Sequence, residues 1–270
     1  MQFDLVCIGE AMALFAPMES RTLEVGSLCR VDAAGAEANV ARNLALLGGN
    51  VAWISAVGAD LLGALVIDAV GGDGVDVSMV TRDSENPTGA IFKSQGAGER
   101  GVQYLRKGSA ASYMGPSTIE QLARIDSKFF HITGVTAALS ESCLDLVQRL
   151  VMLPVPRPRI SFDVNYRKLL WEKDPSQILL EIARKADLVF VGLDEAQELW
   201  GISAPEEIRE LVGNDSEIVV KNSGLDAHAF LGSEHWMLPA PKKTVVEAVG
   251  AGDAFAAGYI LGDLLGLSAL

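Results

Sequence analysis

The sequence predicts an α/β protein with a mostly parallel central sheet, flanked by helices and accompanied by a small β-strand lid. Strand-length apolar runs alternate with amphipathic helical segments along nearly the whole chain, which is typical of a sheet with helices on both faces. The chain has 270 residues, of which 49% are hydrophobic and 21% are charged. This composition supports one domain over residues 1–270 with a large buried core.

The first third of the chain supplies the first strands and helices of this alternation. Helical spacing of small and apolar residues predicts each helix, and glycines that follow it mark its end. The predicted elements are, in order, strand Phe3–Ile8, helix Glu37–Leu47, strand Val51–Val57, helix Leu61–Val70 and strand Val75–Val80.

Four more strand-length runs continue the pattern towards the C-terminus, and a predicted helix lies between each run and the next. The repeated alternation extends the parallel sheet through most of the chain. The predicted strands are Phe129–Ile132, Ile160–Asp163, Leu188–Val191 and Ile218–Lys221.

Two segments, Arg21–Val31 and Thr88–Leu105, break this alternation. Both contain short strand-like runs with polar or glycine interruptions and no helix between them. We interpret them as the lid beside the main sheet, and two surface hairpins without function are the alternative that the pattern leaves open. Exposed lid strands would allow a homodimer to form by edge-to-edge pairing.

Charge and cysteine content argue against several classes of partner. The net charge is −13, which disfavours nucleic acid and anionic membranes. The three cysteines are widely spaced and form no CxxC pair, so neither a disulfide framework nor a cysteine metal site is predicted.

The chain shows no secretory signal and no apolar stretch of transmembrane length, which predicts a cytoplasmic protein. Structural roles are predicted for the three histidines, which show no metal-ligand spacing: His131, His228 and His235.

A glycine-rich turn near the C-terminus carries the strongest chemical signal. A strand-like valine pair precedes it, and a helix of small residues follows it. Backbone N–H groups and the dipole at a helix start attract anions, and Gly250 and Gly252 let a phosphate approach the backbone closely. Asp253, in the first turn, is positioned to accept a hydroxyl proton during phosphoryl transfer. The pattern equally allows a plain strand–turn–helix connection in which Asp253 only complements the dipole.

Two motifs together resemble the ribokinase-like, or PfkB, family of carbohydrate kinases. They are VGAGDAFAAG at residues 249–258 and AGAEANVARNLALLG at residues 34–48. The resemblance implies transfer of the γ-phosphoryl group of ATP to a sugar hydroxyl, with Asp253 as the base. It also implies an anion hole formed by the backbone amides of Gly250, Ala251 and Gly252. Sugar hydroxyls would be bound by Gly35 and Asn39, and a hydrogen bond within its own helix is the alternative for Asn39.

The sequence departs from the family pattern at two places. Glu247 and Ala248 stand where the family usually has Asp-Thr, so the monovalent cation that activates several relatives is left open. The helix after the turn runs almost directly into Leu270, whereas relatives continue with further helices on the adenine side. From this we expect the C-terminal part of the usual fold to be missing after residue 270, with weaker ATP binding.

Two segments in the middle of the chain are similar to 2-keto-3-deoxygluconate kinases. They are YLRKGSAAS at residues 104–112 and DVNYRKLLW at residues 163–171. Such enzymes phosphorylate a sugar acid, and the planar fork of arginine suits its carboxylate. The resemblance therefore implies that Arg106 and Arg167 bind the acid group, with Tyr104 donating from its hydroxyl. Surface ion pairs are the alternative for both arginines.

The sequence leaves two other interpretations of the function open. One is a neutral sugar such as fructose, or a nucleoside. The other is a non-catalytic sugar-binding protein, because the C-terminal part of the fold would be missing.

The same resemblance extends to a nucleotide side of the site. Strand Ile218–Lys221 and the turn after it are similar to the family segment that contacts ATP, which implies roles for Lys221, Ser223 and Gly224. The family motif Asn-x-x-Glu corresponds to Gly192–Glu195, with glycine in place of asparagine. Glu195 would position Mg²⁺ through water, and complementing a helix dipole is its alternative role.

Overall fold

The computed structural model describes residues 2–18, 22–94, 101–241 and 250–267. The strands are β1 (Phe3–Ile8), β2 (Met12–Pro17), β3 (Cys29–Ala34), β4 (Val51–Ile54), β5 (Ala56–Gly58), β6 (Thr81–Asp83), β7 (Ala90–Lys93), β8 (Val102–Leu105), β9 (Ser127–Thr133), β10 (Arg159–Asp163), β11 (Leu188–Gly192), β12 (Glu217–Asn222), β13 (Asp226–Leu231) and β14 (Glu234–Pro239). The helices are α1 (Ala36–Leu46), α2 (Leu61–Gly72), α3 (Pro116–Leu122), α4 (Gly134–Ala137), α5 (Glu141–Val151), α6 (Ser176–Ala183), α7 (Leu193–Trp200), α8 (Pro205–Val212) and α9 (Ala251–Leu264).

The central sheet has the strand order β14-β13-β12-β11-β10-β9-β1-β4 in the described part of the chain. Six strands of this sheet pair in parallel, in the order β12, β11, β10, β9, β1 and β4. The β13–β14 hairpin adds two antiparallel strands at the β12 edge. All five residues of β11 are buried, because helices cover both faces of the sheet. The predicted mostly parallel sheet with flanking helices is confirmed.

The predicted strand Val75–Val80 is wrong. An isolated parallel bridge joins Ala52 to Asp76 there, and turns follow it. The Asp76 carboxylate accepts a hydrogen bond from the Ser78 N–H at 2.8 Å, and the Val80 N–H donates to the Val77 carbonyl at 3.1 Å. These local bonds take backbone groups that a strand would use in a ladder.

A second sheet of four strands has the order β3-β2-β7-β8. It draws on both predicted lid segments, and it also includes β2, where the sequence analysis predicted no strand. The rings of Phe15 and Phe92 stack across β2 and β7 with centroids 5.0 Å apart. Residue 21 and residues 95–100 of the predicted lid lie outside the described residues. The movement of this sheet as a lid stays a prediction.

Two hydrophobic clusters cover the two faces of the central sheet. In one cluster the helices α3 through α8 pack against strand side chains such as Phe130 and Val220. In the other cluster the helices α1, α2 and α9 pack against strand side chains such as Trp53 and Phe190. Helix α9 is therefore packed on the same side as α1, which lies far from it in sequence. Within the described residues, no helix combines the length and apolar character that a membrane span requires.

Candidate active site

The glycine turn lies at the start of α9. Gly250 has φ = 82°, in the left-handed region that glycine occupies without steric cost. The first helical hydrogen bond runs from the Ala254 N–H to the Gly250 carbonyl at 2.9 Å, so three amides precede the helical ladder. A methyl group at Gly252 would lie 3.5 Å from the Lys221 ammonium. The turn thus combines backbone N–H groups with a nearby cation, which suits an anion.

Asp253 is a partly buried carboxylate in the first turn of α9. Its Oδ2 accepts a hydrogen bond from Asn39 Nδ2 of α1 at 2.7 Å. Burial raises the pKa of Asp253 to about 6, and the charge of Asp163 adds to this rise. The Asn39 hydrogen bond and the charges of Lys221 and Arg167 oppose the rise in that pKa. A carboxylate with a pKa near 6 is mostly ionised at neutral pH and is suited to general base catalysis.

Lys221 is held at the turn by Asp163. These two residues lie towards the carboxyl ends of the parallel strands β12 and β10, and Lys221 Nζ donates to Asp163 Oδ2 at 2.7 Å. Burial disfavours the charged form of Lys221, but Asp163 and Glu195 outweigh it and raise the Lys221 pKa. Lys221 therefore carries its positive charge beside the glycine turn.

Glu195 lies in the first turn of α7, close to the same pair. Its Oε2 accepts a hydrogen bond from the Gly192 N–H at 2.9 Å, and its Oε1 lies 3.5 Å from Arg167 Nη1. Burial, followed by the charge of Asp163, raises the pKa of Glu195. Asp163 and Glu195 thus bring two acidic groups into one poorly solvated region.

Arg167 lies in the loop that follows β10, and the backbone of this loop is strained at Asn165. Its side chain is 57% exposed, and its Nη1 donates to the Tyr166 carbonyl at 2.9 Å. Asn165 has φ = 35°, which is sparsely populated for a side-chain-bearing residue. The buried Asn165 Oδ1 has no hydrogen-bond partner among the described residues. Strain and an unsatisfied polar atom are typical of a site that binds a ligand.

Arg106 and Tyr104 lie on or beside the second sheet. The Arg106 guanidinium, only 13% exposed, forms an ion pair with the buried Glu10, which also accepts a hydrogen bond from Ser109. Tyr104 lies on β8 and is 53% exposed. Arg106 thus forms an ion pair, as its alternative role expects, but this pair is largely buried and does not lie at the surface. Sugar-acid binding by Arg106 and Tyr104 stays a prediction.

The remaining predicted residues lie at chain reversals. Gly35 precedes α1, and a methyl group there would come 2.8 Å from the Ala11 Cα and closer still to the Glu10 carbonyl. This close approach explains the glycine structurally. Ser223 (φ = 30°) and Gly224 (φ = 78°) form the exposed turn between β12 and β13. Glu247 and Ala248 fall outside the described residues.

Two acidic residues near this site, Glu37 and Asp163, were assigned no role from the sequence. The buried Glu37 Oε1 accepts from the Thr133 N–H at 3.1 Å, from Thr133 Oγ1 at 2.7 Å and from Thr136 Oγ1 at 2.6 Å. Burial raises the pKa of Glu37 to about 7. Sequence features could have indicated a role for both residues. Glu37 is an acid among the small residues of a predicted helix, and Asp163 is an acid at the end of a predicted buried strand.

Comparisons with known proteins agree with this arrangement. The family model described as pfkB family carbohydrate kinase matches residues 2–269 of this chain. A 2-dehydro-3-deoxygluconokinase of Bacillus subtilis (strain 168) is 36% identical over 276 residues, which cover 99% of this chain and 85% of that protein. A PfkB protein of Polaromonas sp. JS666 superposes with a TM-score of 0.84 at 31% identity, covering 98% of this chain and 90% of that one.

A third likeness concerns the fold alone. A chain assigned as ribokinase II from E. coli has a TM-score of 0.85 at 23% identity, covering 100% of this chain and 88% of that one. The predicted ribokinase-like fold is therefore confirmed.

Proposed function

Because this chain belongs to the pfkB family of carbohydrate kinases, we propose that it transfers the γ-phosphoryl group of ATP to a hydroxyl of 2-keto-3-deoxygluconate. The observation that carries this proposal is the partly buried Asp253 at the start of α9, beside Lys221 and the amides of the glycine turn. The similarity to 2-dehydro-3-deoxygluconokinases supports this acceptor, because 2-dehydro-3-deoxygluconate is another name for 2-keto-3-deoxygluconate.

In the proposed mechanism Asp253 accepts the proton of the attacking hydroxyl. The oxygen forms a bond to the γ-phosphorus as the bond to the β-phosphate oxygen breaks, and ADP leaves. Asn39 holds one carboxylate oxygen of Asp253 through the 2.7 Å hydrogen bond, which fixes the orientation of the base. The backbone amides of Gly250, Ala251 and Gly252 then stabilise the negative charge that develops on the phosphoryl group.

Lys221 adds a full positive charge to that anion site. Its ammonium lies beside Gly252 and is anchored by Asp163. A partly buried cation held in place needs little reorganisation when phosphate charge develops, so it stabilises the transition state more strongly than a fully solvated one. We assign Ser223 and Gly224, at the end of the same strand, to contacts with the nucleotide.

Asp163 and Glu195 are suited to a hydrated Mg²⁺ ion. Burial and the charge of Asp163 raise the Glu195 pKa, which indicates that this acidic pair would be stabilised by additional positive charge. Hard carboxylate oxygens are the protein ligands that Mg²⁺ prefers, commonly through water. When bound, Mg²⁺ would neutralise phosphate charge, while Asp163 and Glu195 would orient its water ligands.

The acid group of the substrate would be bound by Arg167. Its guanidinium is more than half exposed, and its positive charge lowers the Asp253 pKa, which indicates that it lies in the electrostatic range of the base. Arg106 would join it by exchanging its ion pair with Glu10 for the substrate carboxylate, with Tyr104 donating a hydrogen bond. Dimerisation through the exposed strands of the second sheet and a cytoplasmic location stay proposals.

A comparison of acceptors tests the sugar-acid proposal. ADP release would be measured with ATP, Mg²⁺ and either 2-keto-3-deoxygluconate, fructose or a nucleoside. We expect the highest kcat/KM for the sugar acid. Arg167→Ala should lower this kcat/KM about 10- to 100-fold, since a bidentate charged hydrogen bond is lost, at about 1.5–3 kcal/mol.

Arg167→Lys is the matched control, because it keeps the charge but loses the planar fork. It should recover only part of the loss. A native chain that prefers fructose or a nucleoside, or an Arg167→Ala variant with unchanged kcat/KM for the sugar acid, would refute the sugar-acid assignment.

A further inference from the structure

His228 and His235 form a close pair across the β13–β14 hairpin. Nδ1 of His228 lies 2.9 Å from Nε2 of His235. In the antiparallel register His228 is opposite Met237 and Phe230 is opposite His235, so the two histidines are diagonal neighbours on one face. Their spacing in the sequence did not indicate this pair, because the register of a hairpin brings together residues seven positions apart.

A carboxylate from another element completes the group. Glu206, in the first turn of α8, offers an oxygen so that the three potential ligand atoms lie within 4.8 Å of one another. Glu206 and His235 are exposed, so a dissolved ion can reach them. Across the part of the chain that the structure describes, this is the one group of three such side chains that meets these distances.

The outer ring nitrogen of His228 is also engaged. His228 Nε2 lies 3.3 Å from Asp226 Oδ1, and that oxygen accepts a hydrogen bond from Asn222 Nδ2 at 2.9 Å. A carboxylate on one imidazole nitrogen fixes the tautomer and directs the other nitrogen towards an ion, an arrangement that recurs around protein-bound metals. Here it directs His228 Nδ1 towards His235.

Packing fixes the orientation of the second imidazole. The ring of His235 stacks on the buried Phe230 with centroids 4.2 Å apart and planes inclined by 15°. Ligand atoms in a tetrahedral zinc site lie about 3.4 Å apart, since the ligand–metal distances are about 2.0–2.1 Å. The histidine nitrogens are slightly closer than this, and the ligand oxygen of exposed Glu206 lies within 4.8 Å of both.

From this geometry we propose that Glu206, His228 and His235 bind a divalent transition-metal ion, with Zn²⁺ as the reference ion. Two imidazoles and one carboxylate suit Zn²⁺ and its neighbours better than Mg²⁺, which prefers oxygen ligands. The site is distinct from the active site, because His228 pairs with Val220 on one face of the sheet whereas Lys221 pairs with Ala227 on the other. A bound ion would link α8 to the edge hairpin.

Isothermal titration calorimetry with Zn²⁺ tests this proposal directly. The native chain should bind one Zn²⁺ saturably in the presence of excess Mg²⁺, and Zn²⁺ should raise its unfolding temperature, because an ion bound to the folded state stabilises it. His235→Gln should weaken binding at least about tenfold, and Asp226→Asn should weaken it about 10- to 100-fold through the orientation of His228.

Two neighbouring acids provide a matched pair of variants. Glu206→Gln should weaken Zn²⁺ binding, whereas Glu207→Gln, an exposed acid one position later, should leave it unchanged. Circular dichroism would establish that each variant is folded. The absence of saturable Zn²⁺ binding to the native chain, or equal affinity in native and His235→Gln proteins, would overturn the proposal. Equal affinity in the two glutamate variants would overturn the three-ligand assignment.

Discussion

At the scale of single residues, the charge state of Asp253 is set by opposing effects. Burial and Asp163 favour its protonated form, whereas Asn39, Lys221 and Arg167 favour the carboxylate. The balance leaves a pKa of about 6, so the proposed base is mostly ionised at neutral pH. Substitutions of the groups around Asp253 should therefore change the pH dependence of the reaction as well as its rate.

The pH profile of the native enzyme should show this carboxylate. The logarithm of kcat/KM for the sugar acid should fall below an inflection near pH 6, because the protonated form of Asp253 cannot accept the hydroxyl proton. Asn39→Ala removes a hydrogen bond to the charged form, so the inflection should move to higher pH by about one unit. Steady-state kinetics from pH 5 to about pH 9 would measure both. An inflection that stays at the same pH in Asn39→Ala would contradict this account of Asp253.

Lys221 should affect both binding and the base. Lys221→Met removes the cation at the glycine turn and should lower kcat/KM for ATP about 10- to 100-fold, which corresponds to a lost charged hydrogen bond of about 1.5–3 kcal/mol. The inflection assigned to Asp253 should also move to higher pH, since the Lys221 charge lowers that pKa. Lys185→Met, at an exposed lysine after α6, is the control and should change neither quantity. An unchanged profile in Lys221→Met would show that the two groups do not interact.

At the scale of the elements, α1 is fastened to the central sheet by a buried acid. Glu37 accepts three hydrogen bonds from Thr133 and Thr136, at the end of β9 and the start of α4. A methyl group at Gly9, just after β1, would collide with the Glu37 carboxyl group. The acid thus occupies the region between the ends of two neighbouring strands, and it places Asn39 two positions further along α1.

The cost of ionising Glu37 should be visible as pH-dependent stability. Its pKa is about 7 in the folded chain against an ordinary value of 4.5, so the native protein should lose stability as pH rises from about 4.5 through about 7. Glu37→Gln keeps an accepting oxygen without the charge and should lose less, by roughly 3 kcal/mol at pH 8. Urea unfolding at pH 5 and about pH 8 measures this difference. Parallel pH dependences in the two proteins would contradict it.

Two glycines of the α9 region should respond oppositely to alanine. Gly250 is left-handed with φ = 82°, so Gly250→Ala should destabilise the protein by about 1–2 kcal/mol. Gly262 lies inside α9 with open space around its Cα, so Gly262→Ala should stabilise by about 0.5–1 kcal/mol through helix propensity. Chemical denaturation of the three proteins would measure both changes. A Gly250→Ala variant as stable as Gly262→Ala would argue against the left-handed turn.

The sequence predicted the elements best where periodicity and burial agree. The strands around Phe129–Ile132, Leu188–Val191 and Ile218–Lys221 are apolar because both faces of the sheet are covered, and each lies within an observed strand. Val75–Val80 alternates apolar with polar residues at its start, but the Asp76 carboxylate bonds to the Ser78 N–H and favours a turn there. Apolar runs alone do not report such local competition from a side chain.

At the scale of the whole molecule, the candidate site depends on contacts between distant segments. Asn39 and Asp253 are 214 positions apart and share a hydrogen bond of 2.7 Å because α1 and α9 pack in one cluster. The two sequence motifs that contain them predicted a shared function. Their geometry could not be predicted from either motif, since it follows from the packing of α1 against α9. The Asp163–Lys221 ion pair could not be predicted either, since it follows from how the sheet orders β10, β11 and β12.

Replacement of Asp253 tests most directly its proposed role as the base of an ATP-dependent sugar kinase. A coupled assay of ADP release with 2-keto-3-deoxygluconate, ATP and Mg²⁺ would compare the native chain with Asp253→Asn and Asp263→Asn. Asp263 lies on the same helix, ten positions further on, and pairs with Arg159. Asp253→Asn should lower kcat about 10²- to 10⁴-fold, whereas Asp263→Asn should stay close to the native rate. A native rate in Asp253→Asn would rule out Asp253 as the base.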